Sequence, residues 1–186
     1  MSCRILSWLL QPYAVAAYTV IAFCVWASTW LGQLRAAAAA VLGIALLAAV
    51  PAMCSLYLYT KGADVNTAGD RALMYPPAAA SYLAAATLFW LLNIKILFVL
   101  AIAYMAVSAM IFAIGTFWKI SIHSAGVAGP TTALIFVFGL ALLPLYVLTA
   151  AIIWARLKLA AHTLAQLVAG ALVAIVITSL VYLVLW

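Results

Sequence analysis

The sequence predicts an all-α polytopic membrane protein, a bundle of six to seven transmembrane helices. Three observations carry this. The 186 residues are 72% hydrophobic and only 5% charged, whereas a soluble domain is about 25% charged and about 45–50% apolar. The apolar residues run on for about 20 positions without the polar alternation of a membrane strand. Polar residues recur only at the ends of such runs. In lipid every backbone N–H and C=O must be satisfied within the structure, so helices are the remaining solution.

The apolar runs place seven spans near 12–32, 36–59, 77–92, 95–117, 121–138, 140–156 and 162–185 of a single domain covering 1–186. About 20 residues at about 1.5 Å each cross a hydrocarbon core of about 30 Å, so the third, fifth and sixth are short. The opening MSCRILSWLLQPY runs straight into the first span with no clear small-residue cleavage site, which predicts no removed signal peptide. Asn93 and Lys95 mark the slightest break between spans. Pro51, Pro130 and Pro144 fall inside spans, where membrane helices tolerate them. Trp8, Trp30, Trp90, Trp118, Trp154 and Trp186 fall near span ends, where interfacial aromatics belong, and Trp26 alone lies deeper. Gly126, Gly129, Gly170 and Ala174 read as places of close helix approach. Cys3, Cys24 and Cys54 lack metal-ligand spacing and read as packing residues, with no disulfide implied.

The net charge of +6 comes from eight Lys and Arg against Asp64 and Asp70. This balance suits an anionic partner, a lipid headgroup or a phosphorylated substrate. Nucleic acid is excluded as a partner, because no basic stripe exists outside short loops. Seven spans bring three polar places to one face: the stretch Thr60–Pro77 with both acids, the segment Lys119–His123, and the turn Arg156–His162. Arg35 and Lys95 go to the other face. Most of the basic residues on the polar face are candidate substrate ligands, so charge counting leaves the orientation open.

Ionisable residues within membrane segments are functional candidates by default. His123 and His162 each begin a span, on the same face. Lys119 and His123 are four apart and share a helical side. A helix starting there offers free N–H groups and the positive end of its dipole to an anion. Arg156 stands six residues before His162 and Gln166 one turn after it.

The segment Arg156-x5-His162-x3-Gln166 with Gly170 resembles the third signature of the type 2 phosphatidic acid phosphatase superfamily, Ser-Arg-x5-His-x3-Asp. Ser121-x-His123 resembles the second, Pro-Ser-Gly-His. Lys61, Asp64, Asp70, Arg71, Tyr75 and Pro76 sit where the first, Lys-x6-Arg-Pro, is expected, without an Arg-Pro pair. The resemblance covers roughly 61–76 and 119–174. It implies an active site at one membrane face and a metal-free, cofactor-free phosphatase acting on a lipid phosphate or diphosphate. Polyprenyl diphosphate, phosphatidate and phosphatidylglycerophosphate are the substrate types implied. By that analogy His162 is the nucleophile that forms a phosphohistidine. His123 protonates the leaving oxygen and then activates water. Arg156, Ser121 and backbone N–H groups bind the phosphate oxygens, with Lys119 and Arg71 added on chemical grounds. Gln166 stands in place of the orienting Asp, Ala155 in place of Ser, and Ile122 in place of Gly.

Asp64 and Asp70 read either as salt-bridge partners of Arg71 or Lys61, or as support for a phosphate-binding Arg. A Mg²⁺-diphosphate site would resemble proteins with two Asp-rich motifs, and this chain has a single pair of acids. Two other functions remain open: a phosphotransferase using the same intermediate with an acceptor other than water, and a non-catalytic protein that binds anionic lipid. The cell membrane is the expected location, and the oligomeric state is not fixed by the sequence.

Overall fold

The helical segments pack against one another in a computed structural model that describes residues 3–62 and 68–186, without the side chains of 68–72 and 74. Among the described residues there is helix and no strand. The chain is an all-α polytopic membrane protein. Among the described residues, five stretches are long and apolar enough to cross a membrane: Pro12–Leu31, Gln33–Thr60, Lys95–Gly115, Leu140–Lys158 and Leu164–Leu185.

Short helix α1 (Cys3–Leu9) packs on the end of the eighth helix. Extended Gln11 then leads into α2 (Pro12–Leu31), whose first residue is a proline with no N–H to leave unsatisfied. Gly32, at φ 81, reverses the chain into α3 (Gln33–Ile44). That rod continues through a π turn, Ala45–Ala49, into α4 (Val50–Thr60). Pro51 explains the widened turn: it lacks an N–H and its ring crowds the preceding turn. The Ser81 hydroxyl donates to the Leu46 carbonyl within the π turn.

Helix α5 (Ala68–Leu91) begins nine residues before the span predicted at 77. A Pro pair usually opens a helix, but here Pro76 and Pro77 lie within one. Tyr75, before them, is buried against Phe112 at a ring separation of 5.3 Å. That burial anchors the polar first turns of α5 onto α6 (Lys95–Gly115). The hairpin between them closes with Asn93 at φ 55, Ile94 N–H donating to Phe89 O and Asn93 N–H to Trp90 O. This is a Schellman end with asparagine in the left-handed position.

Helix α7 (Ile122–Phe138) is 17 residues long. Gly139, at φ 94, turns the chain into a 3₁₀ stretch, Leu140–Leu145, that feeds α8 (Tyr146–Lys158). Helix α9 (Leu164–Leu185) then runs beside α7. Small residues allow this approach. A side chain at Gly129 would meet Thr178 and Ala174, one at Gly170 would strike Ser121 and Ser124, and one at Gly126 would strike Pro12 of α2. The main core gathers Val20, Phe23, Leu47, Phe89, Leu97 and Leu100 from α2, the π turn, α5 and α6. Outward positions such as Val25, Leu34, Val147 and Val184 stay exposed and apolar, as a lipid-facing surface requires.

The face opposite the histidines is tied by Lys95 Nζ donating to the Trp186 carbonyl at 2.8 Å and by Arg35 donating to Leu92 O. Trp26, Trp30 and Trp186 cluster there. Trp8, Trp118 and Trp154 are partly or largely exposed around the histidine face. The two aromatic rims mark the two interfaces. All three cysteines are free.

Candidate active site

His123 stands in the first turn of α7 and His162 two residues before α9. The start of α7 is fixed by Ser121, fully buried, whose Oγ accepts the Ser124 N–H at 3.3 Å. The same residue joins the two segments: Ser121 N–H donates to Gln166 O at 3.2 Å. Ser121 therefore serves as the cap and clasp of the site. It is not among the residues lining the cavity described below.

On the other side of His162, α8 ends in a second Schellman turn. Ala161 N–H donates to Arg156 O and Ala160 N–H to Leu157 O, with Ala160 at φ 52. The left-handed region costs a residue with a Cβ about 1 kcal/mol or more, so this turn is held by its surroundings. Lys119 Nζ donates to the Ala161 carbonyl at 3.2 Å, tying the α6–α7 connection to the α8–α9 connection. His162 is thus set between two clasped turns.

These elements enclose a cavity of about 330 Å³ at the histidine face, lined by His123, His162, Arg156 and Lys119. Four sequence-predicted residues from two distant regions therefore meet. Gln11, Tyr13, Ser55 and Tyr75 are among the other polar residues of the lining. Tyr75 had been placed only within the loose first signature, and the other three carry no spacing or motif that marks them; their proximity comes from the packing of α2 and α4. Arg156 Nη1 donates to Ser7 Oγ at 3.4 Å, and its buried Nε has no hydrogen-bond partner among the described residues.

The imidazole of His162 is lowered from 6.5 to about 4. Burial is the main cause, followed by the positive charges of Lys119 and Arg156; neighbouring Gln166 and the Lys119 backbone act in the opposite direction. The ring is therefore neutral at pH 7. Its buried Nδ1 lacks a hydrogen-bond partner among the described residues. Gln166 has other duties: its Oε1 accepts the Thr163 N–H at 3.1 Å, while Thr163 Oγ1 accepts the Gln166 N–H at 3.3 Å. This reciprocal capping box starts α9, so Gln166 supports the segment that carries His162 and, as a neutral neighbour of the ring, favours its protonated form against the nearby cations.

Lys61 is exposed and lies over the Tyr57 ring at 5.7 Å, away from the cavity lining. Asp64 and the side chains of Asp70 and Arg71 lie outside the described residues. Comparison with family models, with curated proteins and with solved structures finds no match.

Proposed function

We propose that this chain is a membrane-embedded phosphatase of the type 2 phosphatidic acid phosphatase kind, hydrolysing a lipid phosphate or diphosphate at one face of the cell membrane. The observation that carries the reading is the meeting of His123, His162, Arg156 and Lys119 in one cavity at the end of the bundle. A neutral imidazole, an unsatisfied guanidinium N–H and an ammonium are what phosphoryl transfer to histidine needs.

In this reading Arg156 and Lys119 hold the phosphate oxygens, and charge-assisted hydrogen bonds strengthen as negative charge gathers there. A nitrogen of neutral His162 attacks phosphorus as the bond to the leaving oxygen breaks. His123, protonated once the negative charge of the phosphate stands beside it, delivers that proton to the leaving oxygen. The resulting neutral His123 then takes a proton from water, which attacks the phosphohistidine and releases inorganic phosphate. The cycle uses no resident metal or cofactor.

The test is inorganic phosphate release by purified protein from polyprenyl diphosphate, phosphatidate and phosphatidylglycerophosphate, with EDTA present and His162→Ala beside wild type. EDTA-insensitive release that drops at least 10³-fold in the variant is expected. Equal release by the variant, or none by wild type from any lipid, would sink hydrolysis through His162. Product formed only with an added alcohol acceptor would redirect the reading to phosphotransfer.

A further inference from the structure

Helix α1 carries its polarity inside out. Ser7 is its buried residue, 7% exposed, while apolar Ile5, Trp8 and Leu9 are exposed, Trp8 at 72%. A helix with water on its outer side shows the opposite pattern. Leu6 docks α1 on the cluster of Leu10, Val15, Val127 and Ile152, and most of its packing is on α8, the helix that carries Arg156. A buried hydroxyl needs a polar partner. Here the partner is Arg156, whose Nη1 donates to Ser7 Oγ at 3.4 Å, the one hydrogen bond its guanidinium makes among the described residues. Arg156 also lines the cavity of His123, His162 and Lys119. Its side chain is long and rich in rotamers, so a group that fixes one N–H of the rigid fork sets where the others point.

The seven residues of α1 make about two turns, too few to hold a helix in water alone. Leu6 holds one side, and the other side needs a cover. That cover is the headgroup layer of the membrane the bundle crosses. Trp8 joins Trp118 and Trp154 in the aromatic rim at the histidine face, and exposed Arg4 beside it matches anionic headgroups.

We infer that α1 is an interfacial strap seated on the lipid headgroup layer, and that Ser7 is the positioning residue through which it aims Arg156 at an anion in the histidine cavity. The anion's identity as a phosphate rests on the phosphatase reading. The strap and its bond to Arg156 do not.

The experiment uses full-length protein, nitrogen-labelled at arginine, in nanodiscs of phosphatidylcholine and phosphatidylglycerol, with inorganic phosphate as the probe. The Arg156 side-chain nitrogens are assigned by the NMR signal lost in Arg156→Lys. They are expected to shift in Ser7→Ala and to stay in place in Ser7→Thr, which keeps the hydroxyl. Ser7→Ala should weaken phosphate binding about tenfold, the usual worth of one charge-assisted hydrogen bond, and Ser7→Thr by less than about twofold. In the Arg156→Lys background Ser7→Ala should add nothing, because the two residues act as one unit. Trp8→Asp sets a negative charge in the headgroup layer, so it should lift α1 and reproduce both the shift and the weakening. Arg156 signals indifferent to Ser7→Ala, or an unchanged affinity in a protein that binds phosphate, would overturn the positioning role and leave the phosphatase reading standing. An effect of Ser7→Ala that Trp8→Asp does not share would overturn the lipid-seated strap. Shifted Arg156 signals in both variants, with no phosphate bound or released by wild type, would count for the strap and against the phosphatase reading.

Discussion

Replacing Gly170 by alanine should separate the two halves of the site, and the size of the effect follows from one contact. A Cβ at position 170 would lie 2.4 Å from the Ser121 carbonyl oxygen and 2.7 Å from Ser124 Oγ. Ordinary contact begins near about 3.5 Å, so α9 must retreat by about 1 Å from the turn that starts α7. Backbone lies on one side of this clash, and no flexible side chain can yield in its place. Alanine itself favours the helix by about 1 kcal/mol. Against that, overpacking costs about 1–3 kcal/mol, and the Ser121 N–H to Gln166 O bond, worth about 1 kcal/mol, stretches. A net loss of about 2 kcal/mol, or about 5 °C in Tm, is expected from thermal unfolding in detergent. Phosphate release should fall about 10²-fold, the usual effect of a misplacement of about 1 Å between reacting groups. Gly129→Ala is the control. Its Cβ would meet Thr178 Oγ1 at 3.3 Å and Ala174 at 3.7 Å, so stability within about 1 kcal/mol of wild type and unchanged turnover are expected. If Gly170→Ala matched Gly129→Ala in both assays, the close α7–α9 contact would be refuted as the clasp of the site.

The pKa of His162 can be read directly by NMR of labelled histidine in His123→Gln protein. A midpoint at about 4 is expected; Lys119→Gln should move it upward towards 6.5 and Lys119→Arg should leave it in place, whereas a wild-type midpoint at 6.5 would remove the burial argument. Because the folded value is the lower one, His162 favours the folded state fully above pH 6.5, and that contribution is lost as pH falls from 6.5 through 4. Ala160→Gly relieves a left-handed alanine, so the released strain of about 1–2 kcal/mol, less the added freedom of the unfolded chain, should raise stability by about 0.5 kcal/mol; a fall in Tm would argue against the Schellman turn. Thr163→Ala removes one half of the capping box and should cost about 1 kcal/mol, while Thr163→Ser restores it.

What the sequence could reveal depended on whether the signal was local. Apolar runs of about 20 residues define helices without reference to neighbours, so the spans and the shared face of His123 and His162 are legible. The Asn93 turn is legible for the same reason. The start of α5 is not. Pro76 and Pro77 look like a helix opening, whereas the helix begins at Ala68, with Tyr75 buried against α6 ahead of the prolines. The contributions of Tyr13 and Ser55 to the cavity arise from how α2 and α4 pack, which no spacing records. Gln166 shows two local patterns in competition. Thr163-x-x-Gln166 is a capping-box signature in the sequence, and the carboxamide that the superfamily resemblance sets beside the imidazole also caps α9.

A neutral amide in place of a carboxylate changes how the site must work. An Asp beside His162 would hold the ring and favour its protonated form. Here Gln166 is a neutral amide that also caps Thr163, and the charges that act on His162 are the cations Lys119 and Arg156. The empty site therefore keeps the imidazole neutral, ready to attack but poorly suited to bear the positive charge that attack creates. The substrate supplies the missing balance. A phosphate entering between Arg156 and Lys119 brings negative charge into a buried, weakly screened space, offsetting both cations where they act on the ring. Its arrival raises the proton affinity of His162 at the moment the imidazole bonds to phosphorus. On this argument the phosphate is both reactant and counter-charge, and a bound lipid lacking phosphate cannot prepare the histidine for reaction.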